Sequence, residues 1–484
     1  MKIKYFPDTK YVVSRSEKVV IVVVLFAFLL ISLVQVFRLT SLSPWQDQIM
    51  FIDPAANLYF GNGFTSSAWF AQTKDEFWAG YPSLYSFLLY LWMRLFGFGI
   101  YTARSFNCVL TATCAVMLWQ AVIRLKLISS PNNRLILITL LLLQLGYTNN
   151  AEQGRPDALM ASLALLALLA YSIQVVWLRY LSLTGLCILF PFGGLALSAY
   201  TVVLSVLLLI YLRKLFLGEL IAIIFGLLLG FLCTYSLYSA NGVWDDFIIS
   251  TLNNPTILAF SQRDKIGGIF GNRILQVLVI SCFALVIHKV LKGEFKWVSV
   301  PSFGLAAIFW IPLGMRLAGA FQFCYSWMVV VPLGVCVCFS VDKLLKTTLD
   351  RRLNSPILGI IIVLCLISSP YLSFIDLVLN WNSSNYFRIE AFVQENISSD
   401  EWVLSDPISY FAAKKGGKTV IYKPYLTVIS PQEKEKVSVL IVRPQDSSLL
   451  QAKLGGKWHK RGKPLTIQYK KEVVELDIYR RGEF

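Results

Sequence analysis

Apolar runs of about 16 to 22 residues recur along most of this chain, beginning with Val19 to Phe37, and each matches the hydrocarbon thickness of a bilayer. Inside lipid every backbone polar group must be bonded within its own segment, so such runs fold as helices. With 56% apolar and 15% charged residues among 484, the composition is that of a polytopic membrane protein. The first run is too long for a signal-peptide core and lacks a small-residue cleavage site, so it reads as a retained anchor. The net charge of +16 does not point to nucleic acid, because Lys and Arg sit in short clusters between the apolar runs, as cytoplasmic loops require. All nine cysteines fall in or beside apolar segments, which indicates no disulfide framework. The two histidines, His288 and His459, are too few for a His-rich metal centre or a Ser-His-Asp triad.

Charge places the ends. Lys2, Lys4, Lys10 and Arg15 precede the first run and put the N-terminus in the cytoplasm, so the loop at about 40–99 faces outside. Run 83–98 is short, is interrupted by Arg94 and ends in Gly97-Phe98-Gly99, and it reads as an interfacial helix. Runs 100–123 and 135–150 then cross twice, with Arg124, Lys126 and Arg134 between them on the cytoplasmic side, and Asp157 returns to the face of Asp47. The same parity carries through 158–177, 180–197 (broken at Pro191-Phe192-Gly193-Gly194), 198–212 and 216–237. It continues past an outer polar segment at 238–272 through 273–291, 297–314, 325–341 and 356–374. The expectation is about eleven spanning helices.

An odd number leaves the tail outside. Residues 1–379 are expected to form the transmembrane domain and 380–484 a small extracytoplasmic α/β domain. In the tail, Phe392–Ile397 reads as the end of an amphipathic helix, and strands are expected at 402–405, 419–422, 437–442 and 472–479. Turns are expected at Asp406-Pro407, Gly416-Gly417, Arg443-Pro444 and Gly455-Gly456. No internal repeat is evident.

Three linked places carry a resemblance. Asp47-Gln48 follows the first helix, with Ala55 eight residues after the Asp; Tyr81-Pro82-Ser83-Leu84-Tyr85 leads to Leu95-Phe96-Gly97 and Arg104; and Arg155-Pro156-Asp157 opens a later helix. Over residues 40–165 this order and spacing resembles the membrane-embedded GT-C glycosyltransferases, in the branch of protein O-mannosyltransferases and the lipid A aminoarabinose transferase. Gln48 stands where that family has Glu, Tyr81 replaces the first Pro of its Pro-Pro pair, and no Lys precedes it.

The resemblance implies an inverting transfer of a hexosyl or pentosyl group from a polyprenyl phosphate to a lipid, glycan or protein acceptor at the outer face of the plasma (inner) membrane. Such chemistry needs a carboxylate to take the acceptor's proton, cations to receive charge on the leaving phosphate, and a cavity open to lipid and water. Asp47 is the expected base. Asp157 either orients the acceptor, holds an Arg, or is a helix N-terminal carboxylate stabilised by the macrodipole and Arg155. Arg104 and Arg155 are candidates for the donor phosphate, Arg104 also being placed where interfacial arginines snorkel. Arg263, Lys265, Arg273 and Arg316 run against the positive-inside trend, and of these Arg316 and Arg263 are taken as phosphate candidates. Gln48, Asp53, Tyr81 and Tyr85 are candidates for substrate contact, with Asp53 equally placed to cap a helix; Asp75 and Glu76 read as solvated. A lipid phosphate leaves readily, so no cofactor is required, and a divalent cation is not indicated.

Two other classes compete. A transporter or flippase would show paired halves and ionisable residues at mid-membrane, whereas the spanning runs are almost free of acids and the carboxylates cluster at outer helix ends. A polysaccharide polymerase or ligase would lean on one large outer loop rather than on the first-loop Asp.

Overall fold

The computed structural model describes residues 13–38, 46–147, 154–212, 217–252, 273–317, 323–347, 378–379, 381, 385–415, 419–469 and 472–482. The expected span 356–374, loop residues 253–272 with Arg263 and Lys265, and the Gly416-Gly417 turn lie outside them, as do the side chains of Asp47, Arg273 and Arg316. The helical part runs α1 (Arg15–Arg38), α2 (Gln46–Tyr59), α3 (Leu84–Phe96), α4 (Ile100–Arg124), α5 (Pro131–Tyr147), α6 (Asp157–Tyr171) and α7 (Val176–Gly193). It continues with α8 (Leu195–Leu207), α9 (Leu217–Ala240), α10 (Trp244–Leu252), α11 (Arg273–Leu291), α12 (Val300–Leu317) and α13 (Trp327–Thr347).

Among the described residues, four helices are long and apolar enough to cross a membrane: Ile100–Arg124, Val176–Gly193, Leu217–Ala240 and Ile274–Leu291. Several other runs expected to span form shorter apolar helices, such as the 15-residue α6 and the 13-residue α8; of the expected break at Pro191–Gly194 only Gly194 separates α7 from α8, Pro191 lying inside α7. The membrane character shows on the surface. α9 turns Ile221, Phe225, Leu228 and Leu232 outward while Gly226, Leu227, Gly230 and Thr234 face inward, an exposed apolar face of the kind a bilayer covers. α3, at 13 residues, is about 20 Å long, too short to span, and it packs on α2, α4 and α7.

One sequence expectation is corrected here. Carboxylates do not cluster only at the end where Asp157 lies. Buried Glu17 of α1 pairs with Arg134 at the start of α5 (Nε to Oε1, 2.6 Å) and accepts from Trp119 Nε1 near the end of α4 (3.2 Å). Asp342 of α13 accepts from the backbone N–H groups of Ser129 (2.7 Å) and Ser130 (2.9 Å), ahead of α5, and Glu219 at the start of α9 pairs with Arg179 at the start of α7 (2.9 Å). All three lie at the end of the bundle remote from Asp157. Each meets a cation or a set of N–H donors, which makes a buried carboxylate tolerable and invisible to a hydropathy scan.

The C-terminal part comprises α14 (Phe387–Asn396), β1 (Trp402–Ser405), α15 (Tyr410–Lys414), β2 (Val420–Tyr422), α16 (Pro431–Lys436), β3 (Val437–Val442), α17 (Pro444–Leu454), β4 (Trp458–Tyr469) and β5 (Glu472–Arg481). Its five-stranded sheet has the order β2-β1-β3-β5-β4, with β1 parallel to β2 and β3, and β5 antiparallel to β3 and β4. Alternate residues supply two faces. Leu404, Ile421, Leu440 and Val442 pack with Leu450 and Leu454 of α17, while Val403, Val420, Val439 and Ile441 join α14 and α15 in an apolar core continuous with the helical part. The expected strands appear, and Gly455 and Gly456 make the turn before β4 with φ of +69° and +82°. β4 itself was not expected: it carries Lys460, Arg461 and Lys463 rather than an apolar alternation, as suits an exposed edge strand.

Candidate functional site

Five of the expected residues meet where the N-termini of α2, α4 and α6 come together. Gln48, in the first turn of α2 beside Asp47, is fully buried, and its Oε1 accepts from Arg104 Nη2 of α4 at 3.4 Å. One turn further along α4, Asn107 faces the same way, as the three-residue spacing requires. Its Oδ1 accepts from the Tyr85 hydroxyl (3.2 Å) and its Nδ2 donates to the carbonyl of Arg155 (2.8 Å). Arg155 Nε in turn pairs with Asp157 Oδ2 at 3.1 Å, both side chains almost wholly buried, and its guanidinium lies 5.8 Å from the centre of the Phe51 ring. Asp157 occupies the first turn of α6, at the positive end of the helix macrodipole and beside Arg155.

The backbone here is close-packed. A Cβ on Gly154 would lie 2.4 Å from Ile52 Cδ1 and 3.4 Å from Gln48 Cγ, so the strand of chain leading into α6 rests directly on the first turns of α2. Tyr81 borders the cluster: its ring meets Phe51 edge-on at 4.9 Å, its hydroxyl lies 3.9 Å from Met160 Sδ, and its carbonyl accepts from Tyr238 (3.2 Å). The cluster therefore offers two arginines, two carboxamides and one carboxylate beside the backbone position of Asp47. Among the described residues no group of three or more His, Cys, Asp or Glu gathers as a metal site.

Asp53 goes elsewhere. It is fully buried, but its oxygens accept from Ser66 Oγ (2.8 Å), Ser67 N (2.7 Å), Lys414 Nζ (3.0 Å) and the Tyr410 hydroxyl, facing the C-terminal part rather than the cluster. Asp75 is 80% exposed at its side chain and pairs with Lys74, and Glu76 accepts from the Thr73 N–H at 3.0 Å. Asn107, Phe51 and Gly154 are the members that sequence reading did not name. Only Asn107 left a signal, a carboxamide three positions after Arg104 and so on the same helix face.

This architecture, a helical part with long apolar helices and a buried polar cluster at one end and a mixed five-stranded sheet packed against it, is shared in fold with solved structures of low sequence identity. The particular likeness is to ArnT from Cupriavidus metallidurans. Its apo structure superposes with a TM-score of 0.59 at 12% identity over 96% of this chain and 97% of that one, and its structure bound to undecaprenyl phosphate with 0.57 at 12% identity over 96% and 98%. The Archaeoglobus fulgidus oligosaccharyltransferase, tethered to an acceptor peptide, aligns at 0.48 and 10% identity over 90% of this chain and 70% of that one. No family model and no curated relative matches the sequence, so the likeness lies in three-dimensional structure.

Proposed function

We propose that the chain is an integral-membrane inverting glycosyltransferase that moves a sugar from a polyprenyl phosphate to an acceptor at the outer face of the membrane. The observation that carries this reading is an ArnT-like fold over 96% of the chain, with buried arginines beside the start of α2. A structure of that neighbour holds undecaprenyl phosphate, which supports a lipid phosphate as the ligand here.

In the proposed reaction Asp47 takes the proton of the acceptor hydroxyl. The freed oxygen attacks the anomeric carbon on the side opposite the phosphate, and the carbon–oxygen bond to phosphate breaks with its electron pair leaving on the phosphate. Arg104, held by Gln48, and Arg155, held by Asp157, are donor-only groups suited to receive that charge. Arg263 and Arg316 remain candidates for the same role. Residues 1–379 would form the membrane domain and 380–484 the extracytoplasmic one, with the N-terminus in the cytoplasm.

Asp47→Asn tests the base. The variant should insert and express as the wild type but lose transfer by about 100-fold or more in a polyprenyl-phosphate-sugar assay. Mass spectrometry of envelope glycolipids and glycoproteins with and without the chain identifies the product. Full activity of Asp47→Asn would remove Asp47 from the reaction.

A further inference from the structure

The C-terminal part grips both helices that flank the candidate site. Asp53 lies six residues after Asp47, about 9 Å along α2, and its charge is met by Tyr410 and Lys414 at the two ends of α15. Lys414 Nζ also donates to Asn57 Oδ1 of α2 at 2.7 Å, so one buried lysine bridges two successive turns of that helix. Burial and the Asp53 carboxylate push the Tyr410 phenol up, which keeps it a donor.

The same short helix reaches the other side. Between Tyr410 and Lys414, Phe411 stacks on Phe98 at 6.0 Å, just ahead of α4. Tyr101 in the first turn of α4 meets Tyr386 edge-on at 6.4 Å and Phe387 at 5.6 Å, and Tyr386 is anchored through its hydroxyl to the carbonyl of Ile408 (2.7 Å), two residues ahead of α15. Edge strand β2 adds a backbone tie: Tyr422 N donates to Ser67 O (3.1 Å) and Ser67 Oγ to Val420 O (2.5 Å), beside the Ser67 N–H that binds Asp53.

We infer that α15 is a clamp, with Asp53, Tyr410 and Lys414 as positioning residues, that sets the gap between α2, carrying Asp47 and Gln48, and α4, carrying Arg104. This rests on the glycosyltransferase reading above. Across that gap Gln48 and Arg104 meet at 3.4 Å, so a small rotation of α2 about an unlatched Asp53 separates them. A misplacement of about 1 Å costs on the order of 100-fold in rate.

The test uses two variants of the full chain in detergent or nanodiscs. Tyr410→Phe removes one hydroxyl and keeps the ring, and Lys414→Met removes the bridging cation; where the second fails to fold, the first decides. Hydrogen exchange should speed up in peptides covering 46–57 while α7 and α9 exchange as in the wild type. In transfer from a polyprenyl-phosphate sugar, kcat should fall about 10- to 100-fold with the donor KM within about twofold. Unchanged exchange at 46–57 overturns the clamp, and so does a lowered melting temperature with wild-type kcat, which assigns packing alone. If the wild type transfers no sugar, the glycosyltransferase reading falls and the clamp is judged on exchange alone.

Discussion

Asp406 closes the turn after β1, accepting from the Ile408 N–H at 3.0 Å and facing Arg443 at 3.4 Å. Burial pushes its carboxyl above the usual range, and Arg443 only partly offsets this. A folded-state pKa above the unfolded value means that the fold binds this proton more tightly than the unfolded chain. The stabilising contribution is therefore complete below the unfolded pKa and is lost as pH rises through the folded one. Asp406→Asn keeps an acceptor for Ile408 and carries no charge, so it should raise the melting temperature at pH 7 relative to wild type by more than at pH 4. An equal change at both pH values would contradict this.

At the same scale, the polar residues of the site were legible because they fall in three short linked motifs, Asp47-Gln48, Tyr81–Tyr85 leading to Arg104, and Arg155-Pro156-Asp157. Gln48, Tyr85, Arg104, Arg155 and Asp157 belong to these motifs and come together. Asp53 was equally legible, but its partners Tyr410 and Lys414 follow 357 residues or more later, a pairing no local spacing reveals.

Among the elements, α7 and α9 show how packing selects a helix face. A Cβ on Gly226 would sit 2.6 Å from the Thr184 carbonyl oxygen, and one on Gly230 2.5 Å from that of Ile188. These are backbone atoms of α7, which cannot move aside as a side chain would. The Gly-x-x-x-Gly spacing lets the two backbones approach, the main source of association where no hydrophobic effect acts between helices. Gly226→Ala or Gly230→Ala should therefore cost about 1–3 kcal/mol. By contrast Gly185→Ala, with nothing within 4 Å of its Cβ, should gain up to about 1 kcal/mol from helix propensity. Thermal unfolding in detergent reads the difference, and equal melting temperatures for Gly226→Ala and Gly185→Ala would rule out the close approach. Hydropathy marks α9 as a span because lipid-facing and glycine-lined sides are both apolar, and for the same reason it cannot tell them apart.

Over the whole molecule the two ends differ in kind. One holds Glu17, Glu219 and Asp342, each matched to cations or N–H groups, and lies where Lys and Arg crowd the connecting loops. The other holds the Asp157 cluster under the C-terminal sheet. If the first end is cytoplasmic, single cysteines in a Cys-free background at positions 75, in the loop between α2 and α3, and 124, the last residue of α4, both exposed, should label from opposite sides of the membrane. Labelling of both from one side would overturn the topology.

The sequence by itself determined the class of environment, the helical runs, the strands β1, β2, β3 and β5, and which polar residues stand apart, since these follow from composition and short periodicities. Tertiary structure alone decided the rest. It drew Asn107 and Gly154 into the cluster, matched Glu17 to Arg134, turned Asp53 away toward α15, and joined the sheet to the bundle in one core. Those outcomes depend on which surfaces meet after folding, and a buried charge finds its partner by proximity in space rather than along the chain.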